Sequence, residues 1–378
     1  MAARPCFAQD RPVVPEPNLV KVPKVAALPW AFSLAYAQGY DDNPLFETPA
    51  IGGGWTGRVI GSLTHHRRRS RSEIVLDGRG AAYVLRDPAL RDRLTYSATG
   101  SGAFDLSPRL HATLDESWQT NYADEATALA LQGVLLRTII ARTNFADGTL
   151  AYRTTDRTTL TAEARHELVS FRPQGTLFGY SRFTGTLGAT RRTAAHDAVS
   201  VTAAFQQRSA LGRDGRGVAA GVGWDRGFGA RVAARVTAGL QRFETLDTGA
   251  RRTEPYATAL MEGRYRHRLF TAEYSHSLTP GYEDGRDRIL DLASLGGIDN
   301  IGERLALFAA VSGGRRRDLD PAGLRTLMLR TTAGLSWRVG RRLEVRLSHT
   351  YERNRDREPL VVRTRQHADV SLGYRREW

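Results

Sequence analysis

Through most of this chain, apolar and polar residues alternate with a period of two. In "RRLEVRLSHTY", Leu343, Val345, Leu347 and Tyr351 alternate with Glu344, Arg346, Ser348 and Thr350. "LRTLMLRTTAGLSWRV" sets Leu327, Leu329, Ala333, Leu335 and Trp337 against Arg330, Thr332, Gly334, Ser336 and Arg338. "RVAARVTAGLQ" does the same with Val232, Ala234, Val236, Ala238 and Leu240 against Arg231, Arg235, Thr237 and Gln241. A two-residue period puts neighbouring side chains on opposite faces of a strand, and helical spacing fits these stretches less well.

Alternation also describes a β-sandwich with one wet face. Three features argue for a membrane-spanning barrel instead. The segments run to about 11 to 15 residues, where about 5–6 is usual in a globular sheet. Their polar face is rich in Arg, Thr, Ser, Gly and Glu, as a wet lumen would be. Aromatics gather near segment ends, at Trp30, Tyr36, Phe104, Trp118, Trp224, Trp337, Tyr374 and Trp378, which suits interfacial girdles. Mean hydropathy is −0.39, and no run approaches the ~18 apolar residues of a spanning helix.

Short links such as 105–110, 154–160, 226–232, 266–269 and 338–343 alternate with longer polar ones at 211–217, 246–254, 280–287, 313–323 and 354–359. Short periplasmic turns and long outer loops have this asymmetry. Counting back from Trp378 gives segments near 364–376, 343–355, 324–338, 303–313, 287–297, 269–279, 254–266, 231–244 and 217–226. It continues through 198–209, 178–191, 158–171, 141–154, 109–121, 92–104, 71–84, 54–66 and 30–39. The expected fold is all-β: a transmembrane antiparallel up-and-down barrel of about 18 strands (range 16–20) over 30–378, with both termini periplasmic. Residues 122–140 are apolar without clean alternation and read as a long loop with a short helix, a hairpin, or a segment folded into the lumen.

The ending "ADVSLGYRREW" resembles the C-terminal targeting strand of outer-membrane barrels, which finishes on an aromatic residue. Gly373 and Trp378 fit that pattern, while Arg376 departs from it; Val370, Leu372 and Tyr374 keep the apolar face. The resemblance implies recognition by the barrel-insertion machinery. The opening "SLAYAQGYDDNPLF", with its Tyr40-Asp41-Asp42-Asn43 turn, is similar to that of porin-like barrels encoded with bacterial exopolysaccharide and capsule clusters. Such a resemblance implies an outer-membrane channel, a polysaccharide substrate and a periplasmic polysaccharide-export protein as partner. Residues 1–29 carry Pro12, Pro15, Pro17, Pro23 and Pro29 and read as an extended periplasmic segment, with "ARPCFAQD" as the remnant of a secretory signal.

The formal net charge is +14, from 54 Lys+Arg against 40 Asp+Glu, which suggests acidic partners. The expected lumen residues are Arg165, Arg235, Arg330, Arg338, Arg346 and Arg375, with Glu344 and Glu352 among the counter-charges. Together with the resemblance, they point to export of an acidic exopolysaccharide through a basic lumen; the rival is a passive porin, general or anion-preferring, for small solutes.

Other chemistries find little support. The single cysteine, Cys6, excludes an intramolecular disulfide and a cysteine-based zinc cluster. No metal or cofactor is expected. His367, Asp369 and Ser371 share one inward row at about 6–7 Å per step, which reads as too far for direct hydrogen bonds, and no segment offers an oxyanion hole. "HHRRRSRS" (65–72) reads as a solvated turn, so nucleic acid is not expected as a partner. Outer-membrane lipid is.

Overall fold

The computed structural model describes residues 29–43, 53–85, 94–122, 140–172, 179–210, 213–229, 231–246, 249, 251–280, 287–318, 325–340, 342–357 and 360–377. They form eighteen strands. The first nine are β1 (Trp30–Asp41), β2 (Gly54–Arg68), β3 (Ser72–Leu85), β4 (Leu94–Asp105), β5 (Leu110–Tyr122), β6 (Ile140–Arg153), β7 (Thr158–Arg172), β8 (Tyr180–Arg192) and β9 (Asp197–Ala210). The rest are β10 (Arg213–Phe228), β11 (Val232–Thr245), β12 (Arg251–Tyr265), β13 (Arg268–Pro280), β14 (Asp287–Ile301), β15 (Leu305–Asp318), β16 (Arg325–Arg338), β17 (Leu343–Arg357) and β18 (Leu360–Glu377).

Each strand pairs antiparallel with its chain neighbours, and β1 pairs with β18, so the sheet is closed. Closure matters physically because a bilayer offers no partner for an open edge. Across the seam the register is unbroken from Ala31↔Glu377 to Asp41↔His367.

The alternation is inverted relative to a soluble core. On β16, Leu327, Leu329 and Trp337 are exposed, whereas Thr326, Met328 and Ser336 are buried. On β1, Phe32, Leu34 and Tyr36 face outward while Ala37 and Asp41 face inward. Val370 and Leu372 are 52% and 53% exposed. An apolar belt of this kind would make a soluble protein aggregate, and it is what a barrel presents to lipid. Outward aromatics stand toward the two ends: Trp30, Trp224 and Trp337 at the tight-turn end, Tyr40, Trp55 and Trp118 toward the other.

The tight turns follow backbone chemistry. Gly229, Gly302 and Gly340, after β10, β14 and β16, have φ of +67°, +67° and +94°, a region that glycine enters without steric cost. Between β12 and β13 the first loop residue is instead Arg266, with φ of +51°. The "HHRRRSRS" run lies at the turn joining β2 and β3.

Four expected loops are partly strand, among them 354–359, since β17 runs to Arg357. The run 313–323 was expected to leave the sheet at Gly313, yet β15 continues to Asp318; likewise β12 begins at Arg251 and β10 at Arg213. Glycine and aspartate are weak strand formers, but here the ladder simply continues past the apolar band, with polar residues outside it. Residues 1–28, most of the 122–140 segment and Trp378 lie outside the described residues.

Candidate permeation lumen

The inward face is polar, and its charge is unevenly spread around the wall. Strands β14 to β18 point Arg288, Arg316, Arg330, Arg338 and Arg346 inward, followed by Arg363, Arg365 and Arg375. The acids at inward positions of the same strands include Asp318, Glu344, Glu352, Asp356 and Asp369. Half-way round the barrel, β5 to β7 carry Asp115, Asp147, Glu163 and Glu167 against Arg153 and Arg165. A basic wall thus faces an acidic one, and the field between them runs across the lumen rather than along it.

The basic wall is organised around the seam. Arg365 on β18 donates from Nε to Asp41 Oδ2 at 2.7 Å, with Nη2 2.6 Å from the same oxygen, and both side chains are buried. Nη1 of Arg365 lies 3.5 Å from Glu352 of β17, whose other oxygen is 3.3 Å from Arg330 of β16. Removing one partner from such a buried pair strands the other charge, so the network holds four strands in one arrangement.

The Tyr40–Asn43 motif completes the clasp. The Gln366 amide donates to Asp42 Oδ1 at 2.6 Å, and the Asp42 amide donates to the Gln366 carbonyl at 3.1 Å. Asn43 Nδ2 donates to the Thr364 carbonyl at 2.9 Å, while its own amide donates to Asp41 Oδ1 at 3.1 Å. Tyr40 points the other way, its ring 5.2 Å from Trp55 on the outer wall. Asx-type turns explain the local geometry; the bonds across the seam explain why these residues sit where β1 meets β18.

Each expected lumen residue occupies an inward position, but they do not form one site. Arg165 pairs with Asp147 at 3.1 Å and Glu163 at 3.4 Å. Arg235 pairs with Asp225. Arg330 and Glu352 belong to the seam network. Arg346 lays its guanidinium over Phe308, 4.8 Å from the ring centroid. Beneath that ring is Gly334, where a Cβ would come 2.5 Å from Phe308 Cζ, so only glycine leaves room. Glu344 accepts a hydrogen bond from Ser336 at 2.5 Å. Arg338 and Arg375 stand near the tight-turn end, and Arg375 is exposed. Of the C-terminal strand, Val370 and Leu372 face outward and Gly373 inward.

One expectation about contacts is corrected. His367 and Asp369 do meet, Nε2 to Oδ2 at 2.5 Å, because both side chains lean along the strand and close the two-residue step. His367 also lies 3.5 Å from Asp41, which ties it to the seam.

The residues the sequence did not single out are the inward arginines nearer the loop end. Arg182 bonds to Glu167, which also accepts from the Tyr180 hydroxyl; Arg208 lies 4.9 Å from the Phe243 ring centroid; Arg288 and Arg316 are buried on adjacent strands. Arg182, Arg208 and Arg288 lay inside the expected segments 178–191, 198–209 and 287–297, where strand parity already carried the signal; only Arg316 lay beyond its expected segment, 303–313.

No family model matches the chain, and no curated protein matches it. Among solved structures it is similar to OccK2 (OpdF) from Pseudomonas aeruginosa, with 12% identity, a TM-score of 0.50, and 92% of this chain and 97% of that chain covered. The outer membrane protein OpdK from Pseudomonas aeruginosa is similar at 12% identity and a TM-score of 0.47, covering 92% of this chain and 99% of that one. OpdK has also been solved with vanillate, at the same identity and TM-score. At such identities the likeness is one of fold.

The expectation of exopolysaccharide export is overturned. The fold likeness runs to OccK2 (OpdF) and not to a barrel of exopolysaccharide clusters. The interior agrees with the rival reading: its arginines Arg165, Arg235, Arg330 and Arg365 are held by acidic neighbours rather than presented as a continuous basic track. Closed barrel, outward apolar belt and fold likeness together make this chain a porin-like, eighteen-stranded β-barrel of the bacterial outer membrane.

Proposed function

We propose that the barrel is a passive channel for small polar solutes, with a preference for those carrying a carboxylate or another anionic group. The observation that carries this reading is the facing of a basic wall on β14–β18 by an acidic wall on β5–β7. An eighteen-stranded barrel is wide enough to leave water inside. A solute with an anionic end is oriented by a transverse field as it passes, its charge toward Arg288 and Arg316 on the basic side. OpdK's recorded companion, vanillate, is a solute of this chemistry.

In this reading the long links face outward and both termini lie in the periplasm, following the asymmetry between short and long connections. The outward row of Val370, Leu372 and Tyr374 would then be read by the insertion machinery. Purified protein in planar bilayers under a salt gradient tests the channel. Anions should carry more of the current than cations, and Arg288→Gln with Arg316→Gln should lower that ratio about twofold, because fewer fixed charges face the path. Absence of conductance, or of swelling of proteoliposomes in small carboxylates, would sink the proposal.

A further inference from the structure

We propose that the outer wall of β15–β17, at the loop end, binds the phosphate groups of a phosphorylated glycolipid in the surrounding leaflet. Three adjacent strands change character at one level. On β15 the outward positions Leu307, Ala309 and Val311 give way to Arg315 and Arg317. On β16, read away from its tight turn, Leu335, Leu329 and Leu327 give way to Arg325. On β17, Val345, Leu347 and Tyr351 give way to Arg353 and Arg355. The change follows about ten residues of strand, which at about 3.3 Å per residue and about 40° tilt is roughly 25 Å, the height of a barrel's apolar band. These guanidinium groups therefore stand where head groups begin.

The patch is under-compensated. Arg317 sits directly opposite Arg325, and Leu327 directly opposite Arg355 places the latter on Arg325's diagonal. Like charges directly across a ladder are destabilising. Arg315 has a carboxylate partner, Asp291, at 3.1 Å. Arg317, Arg325, Arg353 and Arg355 have no ion pair among the described residues. The acids of β17, Glu352 and Asp356, point inward and are held by Arg330, Arg365 and Arg363.

Guanidinium forks match phosphate oxygens two at a time. A phosphomonoester carries about −1.5 to −2 charges, so a glycolipid bearing two of them balances four arginines. A glycerophospholipid with a single diester does not. The site is on the outer wall, so it stands apart from the channel reading.

The test is a titration of the purified barrel in non-ionic detergent with lipid A, with phosphatase-treated lipid A and with phosphatidylglycerol. Lipid A should bind at least about tenfold more tightly than either of the others, since each lost bidentate contact is a charge-assisted one. R317Q/R325Q/R353Q/R355Q should lose that preference, while R109Q/R157Q/R192Q/R304Q, at the opposite rim, should keep it. Heat-modifiable gel migration shows whether the variants are folded. Should the glutamine variant fail to fold, the wild-type comparison of lipid A with its dephosphorylated form decides alone. Equal binding of those two, or equal loss in both variants, would overturn the proposal.

Discussion

At the scale of single residues, a side chain's consequence here depends on which face it occupies more than on what it is. Leu329 and Thr332 are three positions apart on β16 and point to opposite sides. Leu329→Arg puts a guanidinium into the loop-end part of the apolar belt, at a cost below the about 2–4 kcal/mol of the midplane. Thr332→Arg adds a charge to a wet interior, at the price of the Thr332–Thr350 hydrogen bond of 3.1 Å. The expected outcome is impaired assembly for the first and near-normal assembly for the second, read as the folded fraction by heat-modifiable migration. Equal impairment would mean that the inside–outside register is wrong. This facing was legible in the sequence because alternation needs only a parity. The partners were not legible: Arg365 and Asp41 are 324 positions apart, and nothing local announces that they meet.

At the scale of elements, strand positions were legible to within a few residues, and the errors share one cause. Strands were expected to end where apolar residues ended, so 313–318, 251–253 and 213–216 were assigned to loops. A barrel strand outlasts the membrane it crosses, and its polar extension looks like loop chemistry. Turns followed their own rules. The β12–β13 connection holds Arg266 at a φ of +51°, where the first loop residue of such a hairpin is more comfortably glycine. An L-residue in that region costs about 1–2 kcal/mol, and glycine's greater unfolded freedom returns about 0.5–1 kcal/mol of the gain. Arg266→Gly should therefore stabilise the barrel by up to about 1 kcal/mol, measured as a higher urea midpoint for unfolding from detergent micelles. A lower midpoint would show that the cation–π contact with Tyr265, 5.6 Å from the ring centroid, outweighs the backbone strain.

For the whole molecule, the count of eighteen strands and the closed, antiparallel order were readable because alternation, link lengths and even parity all agreed. Function was less readable. Net charge of +14 suggested a basic lumen, yet the described interior is a basic wall opposite an acidic one, and many arginines stand on the rims and outer wall. A sum over the chain carries no direction. The protein should fractionate with outer membranes and migrate differently on gels before and after boiling. Recovery in the soluble fraction as a monomer would contradict the barrel.

The joint between β1 and β18 makes the sheet a ring, and a ring has no beginning. While the chain is being made, however, two raw edges exist, and each can recruit any strand it meets. They can be retired only when segments separated by more than three hundred positions find each other, as Asp41 and Arg365 do. Until then no part of the wall is finished, so biogenesis has a single decisive moment at its end. A circular permutant opened at the 338–343 turn would move that moment to a different pair of strands and leave the mature ring unchanged.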